Sequence, residues 1–307
     1  MPPLVMPQPK PLPTGCPRLL VCDLDGTLLH SSGGITDATI AALRQATDAG
    51  IELVIATGRR HSFALKVLSS AGLSPDTLLI SSNGAITGTL AGERLHRVSM
   101  PVATARLLCR QLDGYRSSLI FTFDRTGPGT LVVENIEALH RRIPHWVDAN
   151  VHEIASFVPL ERAFESGDEP IQAMICGPLK EMEEAASLLH PTTPEAALLW
   201  DSISMHRTEY AARDLCIVDL MAAGCSKGRA IARMAQQRGI AAAEIAAIGD
   251  NMNDADMLAF VGRSFVMQNA PADLHALATK HGWAVTGTND EDGAAAAILH
   301  LLQRRSC

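Results

Sequence analysis

The chain has 307 residues, 47% of them hydrophobic, and a formal net charge of −7, which is enough length and apolar content for two domains with sizeable cores. The acidic balance without a long basic run argues against a nucleic-acid binder, and no apolar run is long enough to span a membrane. Seven cysteines without a CxxC pair read as buried free thiols in a reducing, cytoplasmic setting rather than as a disulfide framework.

Residues 1–17 are proline-rich and predict a flexible tail, not a signal peptide. The apolar run Leu19-Leu20-Val21-Cys22 predicts a buried strand that ends in Asp23-Leu24-Asp25-Gly26-Thr27. Taken alone, this ending also fits a simple Asp-Gly turn. Residues 36–49 predict a helix, with Thr36 as N-cap, Ile40 and Leu43 at helical spacing and Gly50 as the stop. The strand over 51–56 runs into Thr57-Gly58-Arg59-Arg60. After a helix over 62–71, the strand at 78–80 ends in Ser81-Ser82-Asn83-Gly84. From 100 to about 221 the pattern changes to an antiparallel-leaning α+β insertion, with strands at 118–124, 131–134, 171–176, 199–206 and 215–220 and helices at 102–112 and 180–189. Ser226-Lys227-Gly228 then opens a helix, and the strand at 246–248 ends in Gly249-Asp250-Asn251-Met252-Asn253-Asp254.

Short apolar runs alternating with helices predict βαβ units and a parallel sheet buried on both faces. In such a sheet ligands bind beyond the carboxyl ends of the strands, where all four polar segments would meet. Two carboxylates two residues apart raise each other's pKa, and burial adds a desolvation cost, so the arrangement suggests chemistry or a cation between them. Phosphoryl transfer to an aspartate would use these groups together. Asp23 is the candidate nucleophile, Asp25 the candidate general acid and base, and Asp23, Asp250 and the Asp25 carbonyl are suited to Mg2+. Thr57 and the Gly58 amide could hold phosphate oxygens, and Lys227 could balance the carboxylates. On local pattern alone Lys227 also reads as a solvated first-turn lysine. No P-loop, GxGxxG or HExxH occurs, and the DxDG does not extend to a calcium loop.

In order, DLDGTLL, TGR, the NGA at Asn83-Gly84-Ala85, SKG and GDNMND resemble the motifs of the haloacid dehalogenase superfamily, most closely its Cof-type (subclass IIB) phosphatases. Met267-Gln268-Asn269-Ala270 and the segment from Thr288 to Gly293 resemble the family's tail elements, and the resemblance runs from Arg18 onward. It implies an α/β fold in which a Rossmann-like parallel-sheet core (18–99 and 222–307) carries an inserted α+β cap domain (100–221) that closes over the site. It also implies that Asp23 is nucleophile, Asp25 acid and base, and that Thr57, Asn83, Lys227 and Asn253 hold the substrate's phosphate. Asp250 would hold Mg2+, with Asp254 near the metal, orienting Lys227 or a metal-bound water. Arg60, where the family has a proline or small residue, and Ala222-Ala223, before the SKG stretch, depart from the pattern at no chemical position.

The expected activity is hydrolysis of a small phosphorylated metabolite, such as a sugar phosphate or phosphorylated cofactor, through an aspartyl-phosphate, by a monomer or weak homo-oligomer. Two alternatives stay open: a hexose phosphomutase, whose cap would gather basic residues such as Arg125, Arg141, Arg142 and Arg162, and a non-catalytic phosphate-ester-binding protein. His140, His145 and His152 fit no common zinc spacing and read as surface histidines. Trp146 reads as a packing aromatic, with a place in the substrate pocket as the alternative.

Overall fold

The computed structural model describes residues 15–210 and 213–303, so the proline-rich tail expected over 1–17 falls almost wholly outside them. These residues form two compact units, one running up to His96 and resuming at Ser226, the other spanning Arg97–Cys225.

The first unit is built on an eight-stranded sheet. Its strands are β1 (Leu19–Asp23), β2 (Glu52–Ala56), β3 (Leu78–Ser81), β4 (Ile86–Thr89), β5 (Arg94–Arg97), β12 (Ile245–Gly249), β13 (Arg263–Val266) and β14 (Ala284–Val285), with β6–β11 belonging to the second unit. The spatial order is β14-β13-β12-β1-β2-β3-β4-β5; pairing is parallel from β14 to β3, and β4 returns antiparallel to β3. The helices of this unit are α1 (Asp37–Asp48), α2 (His61–Leu68), α8 (Lys227–Gln237), α9 (Ala255–Phe260), α10 (Ala272–His281) and α11 (Gly293–Gln303). Every residue of β1 and β12 is buried, because helices cover both faces and successive side chains point to opposite sides. Leu20, Cys22 and Ile55 pack with Leu43 of α1 and Ile298 of α11, while Leu19, Val21 and Val54 pack with Ile231 of α8, Leu258 of α9 and Leu274 of α10.

The second unit holds β6 (Leu119–Thr122), β7 (Leu131–Val133), β8 (Ile154–Ser156), β9 (Gln172–Gly177), β10 (Ile203–Tyr210) and β11 (Leu215–Ala222), in the order β10-β11-β9-β6-β7-β8. All neighbours are antiparallel except β7 and β8. Its helices are α3 (Val102–Gln111), α4 (Ile136–Arg142), α5 (Pro144–Asn150), α6 (Leu179–Ser187) and α7 (Pro194–Ser202). One sheet face builds the main core with Leu108 of α3, Met182 of α6 and Leu199 of α7; the other carries a smaller cluster with Leu139 of α4 and Val147 of α5. The fold is therefore α/β, a Rossmann-like core with an inserted α+β domain.

One expectation is corrected. The strand expected over 199–206 begins only at Ile203, because Leu199 to Ser202 are the last residues of α7. Thr193 caps that helix, its hydroxyl accepting the Ala196 N–H at 3.1 Å, and Pro194 occupies the first turn, where its missing N–H costs nothing. Helices α4 and α5 and strand β8 were not anticipated at all; each is seven residues or fewer, too short for a clear period.

Phe164 anchors the inserted domain's core, meeting Phe121 edge-to-face at a centroid distance of 4.9 Å with only 2% of its surface exposed. Phe164→Ala should lower unfolding stability by about 3–5 kcal/mol, measurable by urea denaturation. A loss under about 1 kcal/mol would mean that this core closes over the void.

Candidate active site

Asp23 is the last residue of β1, and Asp250 follows the last residue of β12. Parallel pairing sets Cys22 opposite Ile248, so both carboxylates emerge at the same sheet edge. The adjacent pairing of Asp23 with Ala56 brings Thr57 there too. Lys227, the first residue of α8, comes to the same place from the helix side. Its Nζ donates to Asp23 Oδ1 at 2.5 Å and to Asp254 Oδ1 at 2.6 Å, with all three side chains almost completely buried. The other Asp254 oxygen accepts the backbone N–H groups of Asp250 (3.0 Å) and Asn251 (3.1 Å). Asp254 thus ties the lysine to the β12 loop.

Two glycines make this approach possible. Gly26, at φ +71°, sits where a Cβ would run into the Asp250 carboxylate; Gly84, at φ +102°, sits where a Cβ would strike the Ser226 carbonyl just before Lys227. Both conformations belong to the left-handed region, which glycine enters without steric cost.

Burial pushes the Asp23 carboxyl well above the ordinary carboxylate range; Lys227 pulls it down, and Asp254, Asp250 and Asp25 push it up again. Burial and the neighbouring Asp254 push Asp250 up to about 7. Burial alone would lower the Lys227 ammonium, but the Asp23 and Asp254 carboxylates outweigh it and hold the lysine charged. Oxygens of Asp23, Asp250 and Asp254 lie within 4.8 Å of one another. Three carboxylates facing one ammonium leave negative charge uncompensated in a desolvated place, and the donors are all oxygen, so the cluster is suited to a hard divalent cation. Asp254, with one oxygen taken by two backbone N–H groups and the other by Lys227, has less to offer it than Asp23 and Asp250.

The remaining sequence candidates line the same edge. Thr57 is fully buried, and its carbonyl accepts the Asn83 N–H at 3.1 Å. Asn83 adopts φ +51° and accepts from Asn253 Nδ2 at 3.0 Å, linking the ends of β3 and β12. The Asp25 side chain is half exposed and is paired with Arg59 rather than with the buried cluster.

Several contacts at this edge were not foreseen. Thr27 donates to Asp250 Oδ1 at 3.1 Å. Asn269 Nδ2 donates to the Gly26 carbonyl at 2.9 Å, Asn289 Nδ2 to the Leu29 carbonyl at 2.8 Å, and Asp290 accepts both the N–H and the hydroxyl of Ser31 at 2.8 Å. Asp292 accepts from Thr36, the cap of α1. The tail elements around Asn269 and Asp292 therefore clamp the segment from Gly26 to Thr36 that follows Asp23 and Asp25. Their polar density between apolar runs was visible in the sequence, but their target was not.

In the inserted domain, Arg141 and Arg142 line a cavity of about 820 Å³ together with Trp146 and His145. Arg125 instead lies 3.6 Å from Asp168, and Arg162 lies 3.9 Å from Glu165, so the four arginines do not share one pocket. His140, His145 and His152 are all exposed, with His140 against Asp148 at 3.0 Å. Trp146 packs against the smaller core cluster as well as lining the cavity.

A family model for haloacid dehalogenase-like hydrolases matches residues 20–298. The chain belongs to the haloacid dehalogenase-like hydrolase family. It is 32% identical over 306 residues to phosphatase YwpJ of Bacillus subtilis, covering 93% of this chain and all of the relative. It is 31% identical over 260 residues to the HMP-PP phosphatase of Escherichia fergusonii, covering 84% and 87% of the two chains. Among solved structures, a haloacid dehalogenase-like hydrolase from B. subtilis superposes with a TM-score of 0.74 at 25% identity, covering 92% of this chain and 99% of the other. A subclass IIB sugar phosphatase superposes with a TM-score of 0.71 at 25% identity, covering 92% and 98%. This haloacid dehalogenase-like protein is an enzyme of the phosphatase type. No helix among its described residues is long and apolar enough to cross a membrane.

The raised Asp250 carboxyl gives a pH prediction for the phosphatase. Between its ordinary value of 3.8 and about 7 the folded state binds more protons than the unfolded state, so stability from this group is full below pH 4 and falls as pH rises to 7. In chelator, Asp250→Asn should therefore be more stable than the parent at pH 8, by on the order of 1–3 kcal/mol, and no more stable near pH 4. Millimolar divalent cation should narrow the gap by stabilising only the parent. Equal thermal stability of the two proteins at pH 8 in chelator would show that the carboxylate carries no such strain.

Proposed function

We propose that this phosphatase is a Mg2+-dependent phosphomonoesterase for small phosphorylated metabolites, sugar phosphates or phosphorylated cofactors, working through an aspartyl-phosphate. The observation that carries the reading is the buried Asp23 carboxylate, held through one oxygen by Lys227 and standing beside Asp250 at the strand edge. The names of the relatives, an HMP-PP phosphatase and a sugar phosphatase, support the substrate class.

An Asp23 oxygen attacks phosphorus as the bond from phosphorus to the ester oxygen breaks, and Asp25 gives that oxygen its proton. Water then attacks the aspartyl-phosphate and passes a proton to Asp25, the bond from phosphorus to Asp23 breaks, and inorganic phosphate leaves. Thr57, the Gly58 amide, Asn83, Asn253 and Lys227 hold the non-bridging oxygens, and Asp254 orients the lysine. Asp23, Asp250 and the Asp25 carbonyl would hold Mg2+, which offsets repulsion between the phosphate dianion and the carboxylates. Dispersal of Arg125, Arg141, Arg142 and Arg162 supports transfer to water over transfer to a second sugar hydroxyl, since a bisphosphate intermediate would need a gathered basic pocket. Buried free cysteines such as Cys22 and Cys176 support a reducing, cytoplasmic setting. We place the enzyme there as a monomer or weak homo-oligomer.

Phosphate release from a panel of sugar phosphates, pyridoxal phosphate, flavin mononucleotide and nucleotides should require Mg2+ and stop in chelator. Asp23→Asn should lower it by roughly a thousand-fold or more. Full turnover by that variant would remove Asp23 as the nucleophile, and conversion of a hexose 1-phosphate into its 6-phosphate without free phosphate would replace hydrolysis by mutase chemistry.

A further inference from the structure

Arg59, the third residue of the Thr57-Gly58-Arg59 segment, has no part in the reaction as set out above. Its guanidinium nevertheless grips both oxygens of Asp25: Nε donates to Oδ2 at 2.7 Å, and an Nη donates to Oδ1. The arginine is itself fixed along its length. Its N–H donates to Thr57 Oγ1 at 3.1 Å, its carbonyl accepts the Ser82 N–H at 2.8 Å, and its guanidinium carbon lies 4.9 Å from the centre of the Phe63 ring. A two-pronged grip of this kind fixes both the place and the plane of a carboxylate, which a single point charge does not.

Asp25 needs such a partner. Asp23 is immobilised by burial and by Lys227, whereas the Asp25 side chain is half exposed and projects from a loop in which Asp25 and Gly26 both leave helical geometry. A half-exposed aspartate without a partner would spread over its side-chain rotamers. The guanidinium takes one lone pair from each Asp25 oxygen and leaves the other lone pair of each free, so the grip is compatible with handling a proton. As an ion pair at a partly exposed edge it adds little to folding stability, so its effect should appear in catalysis.

We propose that Arg59 is a positioning residue for Asp25, holding the carboxylate at the rim of the strand ends where it meets the leaving oxygen. This rests on the function proposed above. The test compares kcat/KM, which reports the first phosphoryl transfer, for an alkyl phosphate, whose leaving oxygen needs a proton, and for p-nitrophenyl phosphate, whose leaving group does not. Arg59→Ala should lower kcat/KM about 5–30-fold on the alkyl ester and less than about 3-fold on the aryl ester. Arg59→Lys should recover part of the loss, and adding Arg59→Ala to Asp25→Asn should change little further. Equal losses on the two esters, or a common rise in KM, would overturn the proposal and make Arg59 a phosphate ligand or a structural residue. Asp23→Asn, run beside these, separates the two ideas: its full activity would sink the aspartyl-phosphate reading, whereas its inactivity with equal ester losses in Arg59→Ala would sink only the role of Arg59.

Discussion

The Lys227 ammonium between Asp23 and Asp254 is the contact on which the parallel-sheet unit of the molecule depends. It joins the end of β1, the first turn of α8 and the loop after β12, three pieces more than 200 residues apart at the extreme, in one buried place. Removing a charge from water costs several kcal/mol even after relaxation, and only close, well-shaped pairing offsets it. The surrounding detail follows from that demand: a sheet buried on both faces to exclude water, a helix that begins at the lysine, and glycines where backbone and carboxylate come too close for a Cβ. Two carboxylates remain incompletely neutralised even so, which gives the site its appetite for a cation.

Much of the core was legible in the sequence because buried parallel strands read as uninterrupted apolar runs. The segments before Asp23, Thr57, Asn83 and Asp250 appear as strands within a residue or two of their expected limits, and the helix expected to open at Ser226-Lys227-Gly228 begins at Lys227, with Ser226 as its cap. What the sequence could not supply was direction. The motif did not say which group Arg59 would grip, 34 positions away, and Asn269, Asn289, Asp290 and Asp292 stood in polar segments whose target was unreadable, because a hydrogen bond across more than 200 positions leaves no local trace.

The inserted domain was harder to read for a different reason. Its sheet is mostly antiparallel, and one of its helices carries the run Ala196-Ala197-Leu198-Leu199-Trp200, which suits a buried strand as well as a helix. The signals that mark it as a helix are the cap at Thr193 and the proline after it. Substrate choice within a shared catalytic chemistry rests on side chains outside the reacting set, and these follow no motif, so the chemistry was readable where the preference was not.

The clamp by the last segments of the chain also fixes an order in time. A ribosome adds about 5–20 residues per second, so Asp23 is made roughly 10–50 seconds before Asp250, Asn269 and Asp292. Throughout that interval β1 lacks the β12 neighbour that will pair with its far side, and the loop after Asp23 lacks the side chains that hold it. The Arg97–Cys225 unit, by contrast, is complete in itself before β12 is made, with a core of its own to condense around. The nascent chain therefore spends most of its synthesis with one edge of its central strand open and in need of shelter, and a message cut short anywhere before Asp250 leaves the buried cluster of Asp23, Lys227 and Asp254 unbuilt.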